Sequence, residues 1–106
     1  MSGTLVTTRR KRSSVHESQV SLVAFVYILE CSDGSLYTGW AWNPYDREKK
    51  HNEGKGSKYV RSRLPAKLVH VETCSNRSVA MRRENVIKAM SRERKLQLVR
   101  NTIWQR

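Results

Sequence analysis

The sequence predicts a small mixed α/β (α+β) domain, and three local patterns support this prediction. Two runs rich in strand-forming residues flank Asp33-Gly34, a dipeptide typical of a tight hairpin turn. Asn43-Pro44 indicates a helix start, because an Asn cap is followed by Pro at the first helical position. Leu96, Val99 and Ile103 recur at helical spacing near the C-terminal end. A chain of 106 residues fits one compact domain with no second core.

The length of the hairpin turn decides whether Tyr27 and Tyr37 share a face of the sheet. A two-residue Asp33-Gly34 loop would place the two phenols on opposite faces. A three-residue loop, 32–34, would place both on one face, with Tyr27 opposite Gly39. We expect the three-residue loop, with Gly34 supplying a left-handed bulge. Gly39 would then leave a patch of sheet bare, where a ligand could approach the backbone. The alternative interpretation is that Tyr27 and Tyr37 are two ordinary strand tyrosines.

Turn, cap and spacing signals predict the other elements. We expect strands at about 22–31, up to about 41 and at 67–74, and helices at 44–51, up to 61, at about 79–90 and from 92 to about 104. Asn76 or Ser78 would cap the third helix. Trp40 alternates away from the tyrosine face into the core, whereas Trp42 would pack on the helix or, less favoured, stack on an exposed base. We expect His70 at a surface or edge of the sheet rather than as a ligand.

The formal charge of +12 indicates a polyanionic partner, for which nucleic acid is the leading candidate. An acidic membrane surface is the alternative, but no apolar run reaches spanning length. Residues 1–20 are expected to form a disordered basic arm, or a DNA-contacting one, ahead of a domain at 21–106. The start of the chain lacks a secretory signal, and Cys31 and Cys74 are too few for a disulfide framework or a zinc site. We therefore expect reduced thiols and a cytoplasmic location.

The loop at 54–59 is basic and contains two glycines, which suggests contacts with phosphate. We expect Lys55, Lys58 and Arg61 to bind nucleic acid together with the backbone at Gly39. The spacing of the loop differs from that of an ATP-binding loop, so ATP is not the expected ligand.

Glu84 is the one acidic residue of the predicted helix at about 79–90, and it lies on the side of that helix that faces the sheet. Helical geometry places it within about 60° of Ala80 and Ile87 around the helix axis. An inward carboxylate is costly unless it is paired or bound to a cation. A salt bridge is one interpretation, with partners available at positions 47, 83 and 88. A metal site is the interpretation that we favour, because Mg²⁺ needs only one or two carboxylates when phosphate and water complete its shell.

Val26-Tyr27-Ile28 and Tyr37-Thr38-Gly39 resemble the paired motifs of the GIY-YIG nuclease superfamily. Residues 55–59 are similar to the GKGAKYT-like loop of its small stand-alone, YhbQ-like members. The resemblance covers about residues 24 to 100. It implies a three-stranded antiparallel sheet flanked by helices, and it implies a metal-dependent endonuclease that acts on DNA in repair or recombination.

The resemblance also implies roles for individual residues. Tyr27, Tyr37, Arg47 and His51 would be catalytic, and Glu84 would be both catalytic and the ligand of Mg²⁺ or Mn²⁺. One tyrosine, with the histidine or alone, would activate water. Free tyrosine has a pKa of about 10, so a tyrosine base needs positive charge or a hydrogen bond nearby to act near neutral pH. Arg47 would hold phosphate oxygens as negative charge develops.

Other functions fit the same residues. The main alternative is a catalytically silent nucleic-acid-binding module with a nuclease-like fold, and a third is a basic RNA- or ribosome-associated protein. We expect DNA as the partner, with RNA as the alternative, and a monomer. Two departures from the family pattern stand out: Trp40 and Trp42 replace smaller residues, and a supporting asparagine of some relatives has no clear counterpart at Asn85 or Asn101.

Overall fold

The computed structural model describes residues 23–102, which form a three-stranded sheet and four helices. In chain order the elements are β1 (Ala24–Glu30), β2 (Leu36–Ala41), α1 (Pro44–Asn52), α2 (Lys58–Arg61), β3 (Lys67–Cys74), α3 (Arg77–Lys88) and α4 (Arg92–Arg100). The predicted mixed fold is confirmed. The predicted arm at 1–20 and the predicted end of the last helix at Trp104 lie outside the described residues.

The sheet is antiparallel throughout, in the order β2-β1-β3, so that β1 is the central strand. Tyr27 lies opposite Gly39 in the β1–β2 register. The Cys31 N–H donates to the Ser35 carbonyl at 2.9 Å, and Gly34 has a φ of +84°. These contacts confirm the three-residue turn and its left-handed glycine.

Because side chains alternate along a strand, β1 contributes to a core on each face of the sheet. On one face Ala24, Val26 and Ile28 pack with α3, whose Ala80 and Ile87 are fully buried. On the opposite face lies a second buried cluster, made of Tyr27, Leu29, Cys31, Val60, Ala66 and Leu68. The helices α1 and α2 lie on this second face, which carries the candidate site described below. Both cysteines are free and buried, as the sequence predicts.

Side-chain caps start the helices where the sequence placed polar residues. The Asn43 carboxamide oxygen accepts the Asp46 N–H at 3.1 Å, with Pro44 in the first turn of α1. Asn76, not Ser78, caps α3 by accepting the Val79 N–H at 2.9 Å, so the helix begins at Arg77, two residues before the predicted start. Within residues 23–102, every helix is too short or too polar to cross a membrane.

The structure shows the surroundings of three side chains that the sequence left open. Trp40 packs against the α3 core, as expected, and Trp42 meets it edge-on at 5.3 Å and is 47% exposed. His70 lies on the edge strand β3, but it is buried rather than at the surface. Its Nε2 contacts Glu72 at 2.8 Å and its Nδ1 contacts the Thr102 hydroxyl, because residue 102, just after α4, covers this edge.

Candidate active site

Three rings from three elements meet on the second face of the sheet. Tyr27 of β1 and Tyr37 of β2 have ring centroids 6.5 Å apart. His51 of α1 lies edge-on to both, at 6.2 Å from Tyr27 and 5.4 Å from Tyr37. Tyr27 and His51 are each 1% exposed, so their polar atoms must find partners within the protein. The two tyrosines and the histidine that the sequence analysis grouped therefore lie together in the structure.

Two glycines make room for these rings. A Cβ atom at Gly39 would lie 2.6 Å from the Tyr27 Oη atom, and one at Gly56 would lie 2.1 Å from His51 Nδ1. The ring of Tyr27 therefore covers the backbone at Gly39, which corrects our expectation of a bare patch open to a ligand. Gly54, with a φ of +81°, terminates α1. Backbone conformation thus explains the glycine at position 54, and packing explains the glycine at position 56. Phosphate contact by the loop stays a prediction.

The hydrogen bonds of His51 define which ring nitrogen carries the proton. The Ser57 backbone N–H donates to Nδ1 at 3.3 Å, and Nε2 lies 3.1 Å from the Tyr27 Oη atom. Since Nδ1 accepts a hydrogen bond, the neutral ring carries its hydrogen on Nε2 and donates it to the tyrosine oxygen. Burial, with a further contribution from Arg47, lowers the pKa of His51. The imidazole is therefore neutral near pH about 7, where its usual pKa of about 6.5 already favours that form.

Opposing effects set the pKa of Tyr27. Burial, helped by the neighbouring Tyr37, raises it to about 12. A hydrogen bond and the charge of Arg47 lower it, and the carboxylate of Glu84 raises it slightly. The positive charge that the sequence analysis asked for is present, but burial outweighs it. Tyr27 is therefore a neutral phenol at neutral pH, whose oxygen lies 3.1 Å from the imidazole Nε2 and whose pKa the nearby Arg47 lowers.

Polar side chains anchor α1, which carries Arg47 and His51 one turn apart. The Asn52 carboxamide donates to the Ala66 carbonyl and accepts the Ala66 N–H, both at 2.8 Å. The buried Glu48 carboxylate accepts the Leu68 N–H at 2.7 Å. Sequence reasoning missed these two residues, because their partners are backbone groups at the start of β3 that no local pattern reveals.

Tyr59 is another residue whose role the sequence did not show. Its ring stacks on that of Tyr37, with centroids 6.2 Å apart and planes inclined by 24°. The guanidinium of Arg63 lies 3.9 Å from the Tyr59 centroid and donates to Asp33 Oδ2 at 3.1 Å. Tyr37 is therefore held between His51 and Tyr59, and the hairpin turn is tied to the same cluster.

Glu84 projects from α3 with a side chain that is 17% exposed. Its Oε2 atom lies 3.4 Å from Lys88 Nζ, so the salt bridge that the sequence offered as one interpretation is present. Within residues 23–102, no three His, Cys, Asp or Glu side chains are grouped as metal ligands. A single, partly buried carboxylate near Tyr27 nevertheless suits Mg²⁺, which takes most of its ligands from phosphate and water.

The basic residues expected to bind nucleic acid lie to one side of the ring cluster. Lys55, Lys58 and Arg61 are exposed on the loop after α1 and on α2. Lys55 Nζ lies 3.6 Å from Glu53 Oε1 in a solvent-exposed ion pair. The structure thus brings together Tyr27, Tyr37, Arg47 and His51, whereas these three cations are exposed to solvent. Glu84 acts on Tyr27 only through its charge.

Comparison with known proteins identifies the family of this chain. The family model of the GIY-YIG catalytic domain matches residues 23–97. The chain therefore belongs to the GIY-YIG family, a superfamily of nucleases.

The relatives that it resembles are small UPF0213 proteins of the YhbQ-like type. It is 54% identical to a UPF0213 protein of Syntrophus aciditrophicus over 77 residues, which cover 72% of this chain and 88% of the relative. It is 49% identical to one from Staphylococcus epidermidis over 75 residues, covering 71% and 92%. A UPF0213 protein of Bacillus halodurans solved by solution NMR is 47% identical, with a TM-score of 0.49 over 74% of this chain and 84% of that one.

Proposed function

We propose that the protein is a cytoplasmic endonuclease that uses Mg²⁺ or Mn²⁺ to hydrolyse phosphodiester bonds in DNA, in repair or recombination. The observation that carries this proposal is the buried phenol of Tyr27, whose oxygen lies 3.1 Å from His51 Nε2 and whose pKa the nearby Arg47 lowers. A phenol that is only part of the core needs one hydrogen-bond partner. A hydrogen-bond donor together with a nearby positive charge instead favours its charged form.

Tyr27 is the residue that we assign as general base. Hydrogen bonds from His51 and Arg47 stabilise the phenolate, which can then accept a proton from the attacking water. The tautomer fixed by the Ser57 N–H gives His51 a supporting role, because its Nε2 already holds a hydrogen. The pKa of about 12 in the free protein means that deprotonation requires additional positive charge from the bound complex.

Arg47 has a second role at the phosphate. Its side chain is half-buried on α1, and its guanidinium offers a planar set of donors that matches two phosphate oxygens. As negative charge grows on those oxygens, a fixed guanidinium stabilises it more than water would. Arg47 therefore places the phosphorus close to the oxygen of Tyr27.

Glu84 is the residue that would hold the metal. A divalent ion at this carboxylate would neutralise charge on the phosphate and on the departing oxygen. Its location near Tyr27 would also supply positive charge where the phenolate forms. Binding of DNA by the rest of the surface would rest on the net charge of +12, through phosphate contacts that carry no sequence preference.

The first test is cleavage by a Glu84→Gln variant. The substitution preserves the size of the side chain but removes the charge that fixes the metal, so cleavage in Mg²⁺ or Mn²⁺ should fall by about 10²-fold or more. DNA binding should persist or tighten, because one negative charge has gone. Linear duplex, single-stranded, nicked and branched DNA, with an RNA control, should be assayed by gel electrophoresis.

Glu53→Gln is the matched control, because Glu53 is a carboxylate in an exposed ion pair away from the rings. It should cleave as the wild type does. Wild-type protein that binds these substrates but cuts none of them would support the silent binding module. Cleavage that survives Glu84→Gln unchanged would contradict the assignment of the metal ligand.

A further inference from the structure

Trp42 is an exposed aromatic side chain that lines the same groove as Arg47 of the candidate site. It follows β2 and leads into the cap of α1, and almost half of it is accessible to solvent. Trp40 supports it edge-on from the core, at a centroid distance of 5.3 Å. An indole that is braced on one side and open on the other is a rigid platform, which costs little conformational entropy when a flat ligand stacks on it.

A groove leads from this platform to Arg47. It has a volume of about 300 Å³ and is lined by Trp40, Trp42, Asn43, Asp46, Arg47 and Lys50. Arg47 belongs to both places, since it also lies near enough to the phenol of Tyr27 to lower its pKa. A ligand in the groove would therefore lie directly beside whatever Arg47 binds.

The charges of the groove favour a nucleotide over an uncharged aromatic ligand. Arg47 and Lys50 lie one turn apart on α1 and would contact successive phosphates. Asp46 also lines the groove, and its carboxylate repels phosphate. The part of the groove beside Asp46 therefore suits a base, because the carboxylate could accept a hydrogen bond from the amino group of that base. Trp42 supplies the apolar face on which that base would lie.

We propose that Trp42 forms a stacking site for one unpaired nucleobase, beside the phosphate that Arg47 holds. The proposal deepens the proposed function, because it assigns part of the substrate to a particular side chain. Bases in a continuous duplex are already stacked and paired, so the site takes a base only where the strand is open. Stacking of one base on an aromatic residue is worth about 1–3 kcal/mol, or about 5- to 150-fold in affinity.

The test measures binding rather than cleavage, so that it stands apart from the nuclease proposal. The full chain carrying Glu84→Gln is titrated with a fluorescein-labelled single-stranded oligonucleotide and with an oligonucleotide of the same length that carries abasic sugars throughout. Trp42→Ala should weaken binding of the first by about 5- to 150-fold and leave binding of the second unchanged. Trp42→Phe should retain most of the affinity, because it keeps an aromatic face.

The salt dependence of binding identifies the interaction that is lost. Trp42→Ala should keep the slope of log K against log salt, whereas Lys50→Ala should reduce it by about 0.7, the value for one phosphate contact on a single strand. Tyr45→Ala is the matched control: Tyr45 is equally exposed but lines a different cavity on the Phe25 side of Trp42. It should bind both oligonucleotides as the parent does.

Equal losses of Trp42→Ala on the two oligonucleotides, or no loss on either, would overturn the stacking site. A loss in Tyr45→Ala as large as that in Trp42→Ala would overturn the assignment to the Arg47 side. Discrimination at Trp42 in a protein whose wild type cuts no DNA would reject the nuclease and leave the base site standing.

Discussion

The two faces of the sheet carry buried cores of different chemical character. The core under α3 is mainly apolar, with Val26 and Ile28 of β1 packed on Ile87, and the polar pair of His70 and Glu72 lies on β3 beside it. The face under α1 buries Tyr27 and His51 just as fully, and α1 is anchored there by a hydrogen bond that Glu48 accepts and one that Asn52 donates. Aliphatic packing is non-directional, whereas each buried polar atom needs a partner in a defined place. The apolar core under α3 therefore mainly stabilises the domain, whereas the polar partners on the second face fix the positions of Tyr27 and His51.

The largest expected change in stability comes from the aliphatic face. Ile87→Ala removes a fully buried side chain between α3 and the sheet, and it should lower the free energy of unfolding by about 2–5 kcal/mol. Cleavage per folded molecule should change little. Urea denaturation and an assay at a temperature where the variant is folded measure the two effects. Val86→Ala, the exposed neighbour, should stay within about 0.5 kcal/mol of the wild type; an equal loss in both variants would show that Ile87 is not a core residue.

The polar face should respond in the opposite way. Gly56→Ala introduces a Cβ atom that collides with His51 Nδ1, so the ring must shift and its hydrogen bond to Tyr27 must change. A displacement of about 1 Å at a catalytic group can cost about 10²-fold in rate, and we expect a loss of that size with a smaller change in stability. Single-turnover cleavage and thermal denaturation check the two quantities.

Gly34→Ala is the control for that substitution. Nothing lies within 4 Å of its added Cβ, but the φ of +84° strains any other residue, so stability should fall by about 1–2 kcal/mol while cleavage is retained. If Gly56→Ala kept full activity, the contact between the loop and His51 would not contribute to the rate of cleavage.

Much of the fold could be predicted, because its signals are local. Gly34 and the strand propensity around it were sufficient for the turn and for the shared face of the two tyrosines, and Asn43-Pro44 was sufficient for the start of α1. Trp40 followed from alternation alone. In each case the deciding interaction lies within a few residues of the signal.

What could not be predicted depends on contacts between distant segments. Gly39 suggested open space, but the ring of Tyr27 from the neighbouring strand occupies it. The lack of a side chain at Gly56 admits His51, a contact that no local pattern indicated, and phosphate binding by this loop stays a prediction. The tautomer of His51 depends on a backbone N–H at Ser57, and the burial of His70 depends on the segment after α4. No pattern in the sequence specifies such pairings.

The central claim is that Tyr27, and not Tyr37, is the base. It is tested by the pH dependence of single-turnover DNA cleavage from about pH 6 to about pH 9 in the wild type, Tyr27→Phe and Tyr37→Phe. Below the pKa that Tyr27 has in the DNA complex, the phenolate fraction grows about tenfold per pH unit, and the wild-type rate should rise with it. Tyr37→Phe should keep that rise. Tyr27→Phe should lose it, with a rate lower by about 10²- to 10⁴-fold. A Tyr27→Phe variant that cleaves at the wild-type rate with the same dependence on pH would contradict the account.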